Sequence, residues 1–169
     1  MNVFKTAGLG TACLAAALVI GLASVTAQSD NQAADAQTAE GEPLEFTHAL
    51  DDEPLDVYTP REGEEFTEAV EEFHVSGENP HDGVDEAIAD GQELYNRNCR
   101  ACHGLEGAGG MGPALDDEDY KRERAATDKG KFEIIYGGSA GAMQPFGNRL
   151  DQDEILRIMA YIDTFGDAE

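Results

Sequence analysis

An all-α fold is predicted for this 169-residue chain from two observations. Three segments in its second half carry apolar residues at three-to-four spacing, each bounded by a capping residue and by glycine. Among them lies the run Cys99-Arg100-Ala101-Cys102-His103, around which three such helices would pack as one domain of ordinary size.

The first helix is expected to start at Asp85, which can cap it, and to end at Gly104. Its inner face would be Ile88, Gly91, Tyr95, Cys99 and Cys102. Gly91, one turn before Tyr95, lets another helix cross closely. The second helix is expected over 127–136, with Phe132 and Ile135 inward and a stop at Gly137-Gly138. The third starts at Asp151, with Glu154 reaching back to the cap. It buries Ile155, Ile158, Met159, Ile162 and Phe165 before Gly166 ends it.

The segments upstream are of a different kind. Residues 1–27 read as an export signal: Lys5 is the positive start, Thr11 to Ser24 is apolar and Ala-rich, and Val25-Thr26-Ala27 offers small residues before Gln28. Cys13 lies within the apolar run with Gly10 three positions before it, which is not the pattern of a lipidated cysteine. An uncleaved membrane anchor is the rival reading of the segment. Residues 28–42 are a disordered acidic leader without an aromatic residue. Over 43–84 apolar residues return between Pro54, Pro60 and Pro80, with one short helix from Glu65 to Phe73 placing Phe66, Val70 and Phe73 on one face. This stretch reads as an extension packing on a core domain at 85–166.

Charge is uneven. The formal net charge is -24, and residues 28–90 hold twenty of the thirty-five acidic residues with one base, Arg61. Such a surface excludes nucleic acid and anionic lipid as partners and favours a basic protein docking at a salt-dependent rate. A merely solubilising surface would have the same composition.

The Cys99 to His103 run is a C-x-x-C-H motif, the attachment site of c-type haem. Two thiols add across the vinyl groups and the following imidazole ligates iron. A thiol-redox site would want a thioredoxin-like strand before it, and a zinc site a second Cys/His pair. The remaining cysteine is Cys13, and His48, His74 and His81 are scattered upstream. Covalent attachment of haem outside the cytoplasmic membrane agrees with an export signal and places the protein in the periplasm. With the signal cleaved, no stable membrane insertion is expected.

For the sixth ligand the methionines differ. Met1 leaves with the signal, Met159 sits on an apolar helix face, and Met111 lies among glycines soon after His103. Met143 follows Gly137, Gly138 and Gly141 and precedes Pro145 and Gly147, a loop whose backbone can lie against a porphyrin and present the thioether. His103 with Met143 would close the iron and suit it to moving single electrons. A loop methionine that packs without ligating, a histidine from the extension, or an open site serving a haem enzyme or gas sensor are the alternatives. After Gly112, the Pro113 carbonyl is expected to accept from the free ring nitrogen of His103. Arg100, Lys121 or Arg124 are candidates to pair with haem propionates.

Helix, C-x-x-C-H, Gly-Pro, glycine loop with Met-x-Pro and a C-terminal amphipathic helix with Tyr161 together resemble a class I cytochrome c over about 85–166. The stretches 53–56, 72–80 and 86–88, with Gly112 to Asp117 and Gly137 to Met143, resemble cytochrome cL from about residue 43 onward. The resemblance implies three core helices around one covalent haem c. Cys99 and Cys102 would be the thioether positions, His103 the proximal ligand and Met143 the axial methionine. It also implies an electron-transfer protein, not an enzyme, reduced by a PQQ-dependent methanol dehydrogenase and oxidised by a second small cytochrome c. The acidic surface would meet a basic region of the dehydrogenase. A general electron carrier or a membrane-tethered haem subunit of another oxidoreductase are the other functions compatible with the motif. The many carboxylates permit a calcium ion near the propionates, although no ligand loop specifies one.

Overall fold

Thr67 opens the first helix, α1 (Glu68–Ser76): its backbone is extended, and its hydroxyl accepts from the Val70 amide at 3.3 Å. The helix therefore begins three residues later than its apolar spacing suggests and leaves Phe66 outside. A threonine caps where Glu65 and Phe66 do not. Gly77, at φ 72°, ends α1 with its amide on the Phe73 carbonyl. The computed structural model describes residues 41–116 and 123–165; the export segment, most of the acidic leader, and Gly166 lie outside them.

Helix α2 (Asp85–Asn98) departs from expectation at both ends. The cap position is Val84, with no side-chain cap, and Asp85 is instead the first helical residue. There its carboxylate, with that of Glu86, faces the positive end of the helix dipole. At the other end the helix stops short of the motif. Cys99 sits at φ -111°, and Arg100–His103 forms a separate turn, α3, closed by Gly104 at φ 79°.

The last two helices follow their capping signals. Thr127 caps α4 (Asp128–Gly137) by accepting from the Gly130 amide at 3.1 Å, and Gly138 at φ 80° ends it. Asp151 and Glu154 form a capping box on α5 (Gln152–Ile162), with the Asp151 amide donating to Glu154 at 3.0 Å. Ile155, Leu156, Ile158 and Met159 are fully buried, while Ile162 and Phe165 are partly buried. Among the described residues there is no strand, only one isolated antiparallel bridge between Thr47 and Pro54.

One apolar cluster joins α2, α4 and α5 to residues of the preceding stretch. Phe46, Leu55, Val57, Val70 and Phe73 share it with Tyr95, Phe132, Ile135 and Ile155. Phe46 lies 5.7 Å from both Phe73 and Phe132, ring centre to ring centre. Burial of each such side chain contributes about 2 kcal/mol, so residues 43–84 add substantially to the core. Polar contacts fix their register. Buried Gln152 donates its amide to Glu64 at 2.9 Å and its side-chain nitrogen to the Val57 carbonyl at 2.7 Å. That orientation leaves its side-chain oxygen to accept from His74 Nε2 at 2.8 Å. Burial holds the His74 imidazole below its ordinary pKa, which keeps it neutral for this contact.

Candidate haem-binding site

The motif lies where α2 breaks. Cys99 is half-buried against the core, its amide still bonded to the Tyr95 carbonyl at 2.8 Å; Cys102 is exposed one turn later. Both thiols are free. Burial, and then the charge of neighbouring Cys102, pushes the Cys99 thiol up to about 12, while the positive charge of Arg149 opposes the rise. Tyr95, one turn before Cys99, donates its hydroxyl to the Gly104 carbonyl at 3.0 Å and ties the buried helix to the end of the motif.

His103 is held from two sides. Its Nδ1 lies 3.0 Å from the Pro113 carbonyl oxygen. A carbonyl only accepts, so Nδ1 carries the proton and Nε2 keeps its lone pair. Gly112 lies against the ring: a Cβ there would come within 2.9 Å of Cε1 and 3.0 Å of Nδ1. The loop that brings Gly112 and Pro113 to the imidazole is stapled to the motif, because the Gly109 amide donates to the His103 carbonyl and the Gly112 amide to that of Cys102. The expected Pro113 contact is therefore present.

The methionines separate by exposure. Met111 is 84 % exposed and Met159 fully buried in α5, whereas Met143 is half-buried at the edge of the core cluster that Cys99 also borders. The Met143 loop is pinned to the end of α4. The Ser139 amide donates to the Met143 carbonyl at 3.2 Å, that of Phe146 to Ile135 at 3.0 Å and that of Gly147 to Tyr136 at 3.1 Å. At Gly138, a Cβ would meet the Pro145 nitrogen at 2.9 Å and the Met143 carbonyl at 3.0 Å. A methionine on so constrained a loop presents its thioether from a defined backbone.

Two free thiols, an imidazole with its Nε2 lone pair retained, a thioether, and glycines where the backbone passes closest form a donor set suited to a covalent haem with two axial ligands. Two of the three extension histidines are engaged elsewhere, His74 on Gln152 and His81 on Asp153 at 2.9 Å, and the third, His48, lies against Gly137, where a Cβ would meet its Nδ1 at 3.1 Å. Arg124 already has carboxylate partners within the fold. Its guanidinium pairs with Asp52 and, at 2.6 Å, with Glu133, whose side chain is 3 % exposed. That buried carboxylate needed a cation, and Arg124 is consumed in providing one. Lys121 lies outside the described residues. Calcium fares no better. Where Asp82, Asp128 and Asp163 converge, their ligand atoms within 4.8 Å of one another, the Lys131 ammonium already pairs with Asp128 at 3.1 Å and with Asp163. Sequence reasoning missed Arg149, which stacks 4.4 Å from the Phe146 ring centre and whose charge reaches Cys99. Its one signal was a base shortly after a Met-Gln-Pro-Phe loop.

Residues 86–162 match the family model described as cytochrome C oxidase, cbb3-type, subunit III. Cytochrome c-L of Methylorubrum extorquens is 35 % identical over 117 residues, which cover 69 % of this chain and 59 % of that protein. Two solved structures are similar over most of both chains. Cytochrome CL from the marine methylotrophic bacterium Methylophaga aminisulfidivorans is 44 % identical, with a TM-score of 0.68, over 72 % of this chain and 80 % of its own. Cytochrome cL from Hyphomicrobium denitrificans is 34 % identical, with a TM-score of 0.69, over 76 % and 80 %.

Proposed function

This chain belongs to the cytochrome cL family, and from that premise we propose that it carries electrons in the periplasm from a PQQ-dependent methanol dehydrogenase to a second small cytochrome c. Members of the family are electron-transfer proteins with covalent haem c, not enzymes. The observation that carries the finer reading is the 44 % identity with a cytochrome CL from a methylotroph over 72 % of this chain and 80 % of its own.

Bound haem supplies a one-electron iron couple, and the rest is the work of side chains. In this reading Cys99 and Cys102 would hold the ring through thioether bonds beside α2. His103 would supply Nε2 to iron, because the Pro113 carbonyl holds the proton on Nδ1, and the same hydrogen bond makes the imidazole more basic. Met143 would supply the other protein ligand. Gly112 and Gly138 keep the two loops close, and the core behind Tyr95 excludes water from one side. Carboxylates of the 43–84 stretch steer a basic donor, their attraction weakening as salt rises. Calcium forms no part of the proposal, since Lys131 supplies the positive charge where carboxylates converge.

Stopped-flow reduction of the ferric protein by purified methanol dehydrogenase plus methanol tests the donor. Fast reduction at low ionic strength that slows with added salt is expected. No reduction, beside a competent control cytochrome, would overturn the dehydrogenase reading while leaving the haem in place. The likeness of 86–162 to an oxidase-subunit model keeps a tethered haem subunit as the second reading. No helix among the described residues is long and apolar enough to cross a membrane, and the apolar residues 1–27 lie outside them. Mass spectrometry of the exported protein decides whether they remain.

A further inference from the structure

The last turn of α4 stands between the 43–84 extension and the loop of Met143. From the loop side, the Phe146 and Gly147 amides bond the Ile135 and Tyr136 carbonyls, and Gly138 lies against Pro145 and the Met143 carbonyl. From the extension side, His48 Nδ1 and both Leu55 methyl carbons come within 3.5 Å of where a Gly137 Cβ would stand. Tyr136 is the side chain that meets both. Its ring stacks on Phe132 at 5.3 Å with the planes 18° apart, and the buried Gly147 lies so close that a Cβ there would come within 2.9 Å of three ring carbons. Its hydroxyl donates to the Asp56 carbonyl at 3.3 Å. Asp56 is exposed, yet its carbonyl is fixed in place. Leu55 and Val57 on either side are core residues, and its carboxylate accepts from the Tyr58 and Thr59 amides at 3.1 Å. An anchored acceptor on the extension therefore sets the ring on which Gly147 rests.

On the reading that Met143 supplies an iron ligand, we propose that Tyr136 is its positioning residue, and that through Tyr136 the docked extension keeps the sixth position closed. A neutral thioether is a weak donor, so the protein around it decides whether it stays in place. The loop has little packing of its own at its tip: Gly141 is at φ 87°, and a Cβ there would meet nothing within 4 Å. Its support comes instead from the end of α4, where two backbone hydrogen bonds and the Tyr136 ring receive residues 146–147. The hydroxyl of that ring reaches across to the extension. Loss of the ring, or of its tie to Asp56, would let the loop swing away while Met143 itself is unaltered. The extension thereby acts on the reduction potential, which a methionine ligand raises and an open face does not.

The test uses the full ferric holoprotein, with imidazole as the competing ligand and the far-red charge-transfer band of thioether-ligated ferric haem as the readout. Imidazole enters only when the loop opens, so its apparent affinity reports the open fraction. Tyr136→Leu, which removes ring and hydroxyl, should raise that affinity about tenfold. Tyr136→Phe, which removes only the hydrogen bond to Asp56, should raise it about threefold, as the loss of one neutral hydrogen bond implies. Gly147→Ala should act like Tyr136→Leu, and the two together should do no more than either alone, because both break the same contact. Tyr58→Phe is the control. It deletes a hydroxyl whose acceptors, the Leu44 and His74 carbonyls, lie away from the loop, and it should leave imidazole affinity unchanged whatever it does to the thermal midpoint. Equal affinities in wild type and Tyr136→Leu would overturn the proposal. So would a Tyr136→Phe variant that matches wild type, since the extension would then play no part, or one that Tyr58→Phe matches, since the effect would then be general loosening. If Met143→Ala keeps the band of the wild type, the ligand reading fails and the proposal with it; a band that Met143→Ala abolishes and Tyr136→Leu leaves as resistant to imidazole as wild type overturns the positioning role alone.

Discussion

The backbone of Gly91 in α2 rests on the carbonyl group of Arg157 in α5. A Cβ at Gly91 would overlap the carbonyl oxygen and come within 2.6 Å of its carbon, with Tyr161 Cβ at 3.2 Å. The atoms it meets are backbone, which cannot rotate away. Gly91→Ala should therefore separate the helices that carry Tyr95 and Tyr161 and destabilise the protein by about 3 kcal/mol, lowering the thermal midpoint by roughly 10 °C. Circular dichroism melting checks this, and a midpoint within 2 °C of wild type, on the order of experimental scatter, would contradict the close crossing.

Met143 is the residue whose removal most directly tests the site. Met143→Ala should leave haem attached but open one iron face, so that the ferrous protein binds carbon monoxide and the midpoint potential falls by on the order of 100 mV or more. Met111→Ala, at a side chain 84 % exposed, should change neither. An unchanged spectrum in Met143→Ala would assign the sixth position to another group.

Glu133 ties three segments together: its carboxylate accepts from the Thr47 amide at 2.8 Å and pairs with Arg124 and Lys129. Glu133→Gln keeps the shape and removes the charge, leaving two cations against a neutral amide. A loss of about 3 kcal/mol is expected. The same variant should expose residues near 47–53 to limited proteolysis before the helices melt, since Thr47 and Asp52 depend on this network.

Asp82 should make stability depend on pH in an unusual direction. Partial burial, then the charges of Asp128 and Asp163, push its carboxyl up to about 6 from 3.8. Between these two values the folded protein binds more protons at this site than the unfolded chain does. The contribution of Asp82 therefore falls as pH rises from about 4 to about 6 and stays at its lowest above that. Asp82→Asn retains an acceptor for Asn79 and cannot ionise. The variant should gain thermal midpoint over wild type at pH 7.5 and lose that advantage near pH 4. A difference that does not vary with pH would show that Asp82 ionises as an ordinary carboxylate.

The helices were largely legible in the sequence because their signals are local. Thr127 with Gly138 bounded α4, and Asp151 with Glu154 began α5, since a cap and its partners lie within one turn. The errors fell where a local signal was ambiguous. Asp85 has the right chemistry for a cap, but the chain enters α2 from an extended Val84, and the carboxylate serves as well one position later. The break at Cys99 left no mark on the apolar spacing, which runs through Cys102 as though the helix continued.

By itself the sequence supplied the proposed chemistry of the site, because C-x-x-C-H places two cysteines and a histidine, the candidate thioether positions and iron ligand, in five consecutive residues. It also raised the Pro113 contact as an expectation, which the fold meets with His103 Nδ1 at 3.0 Å from the carbonyl oxygen. Only the tertiary structure decided which charges are spent and which are free. Arg124 looked available for a propionate and is bound to buried Glu133, while Arg149 looked ordinary and stacks on the Phe146 ring of the Met143 loop. The reason is physical: whether a cation finds its carboxylate depends on residues brought together from distant parts of the chain, and no local pattern records that distance.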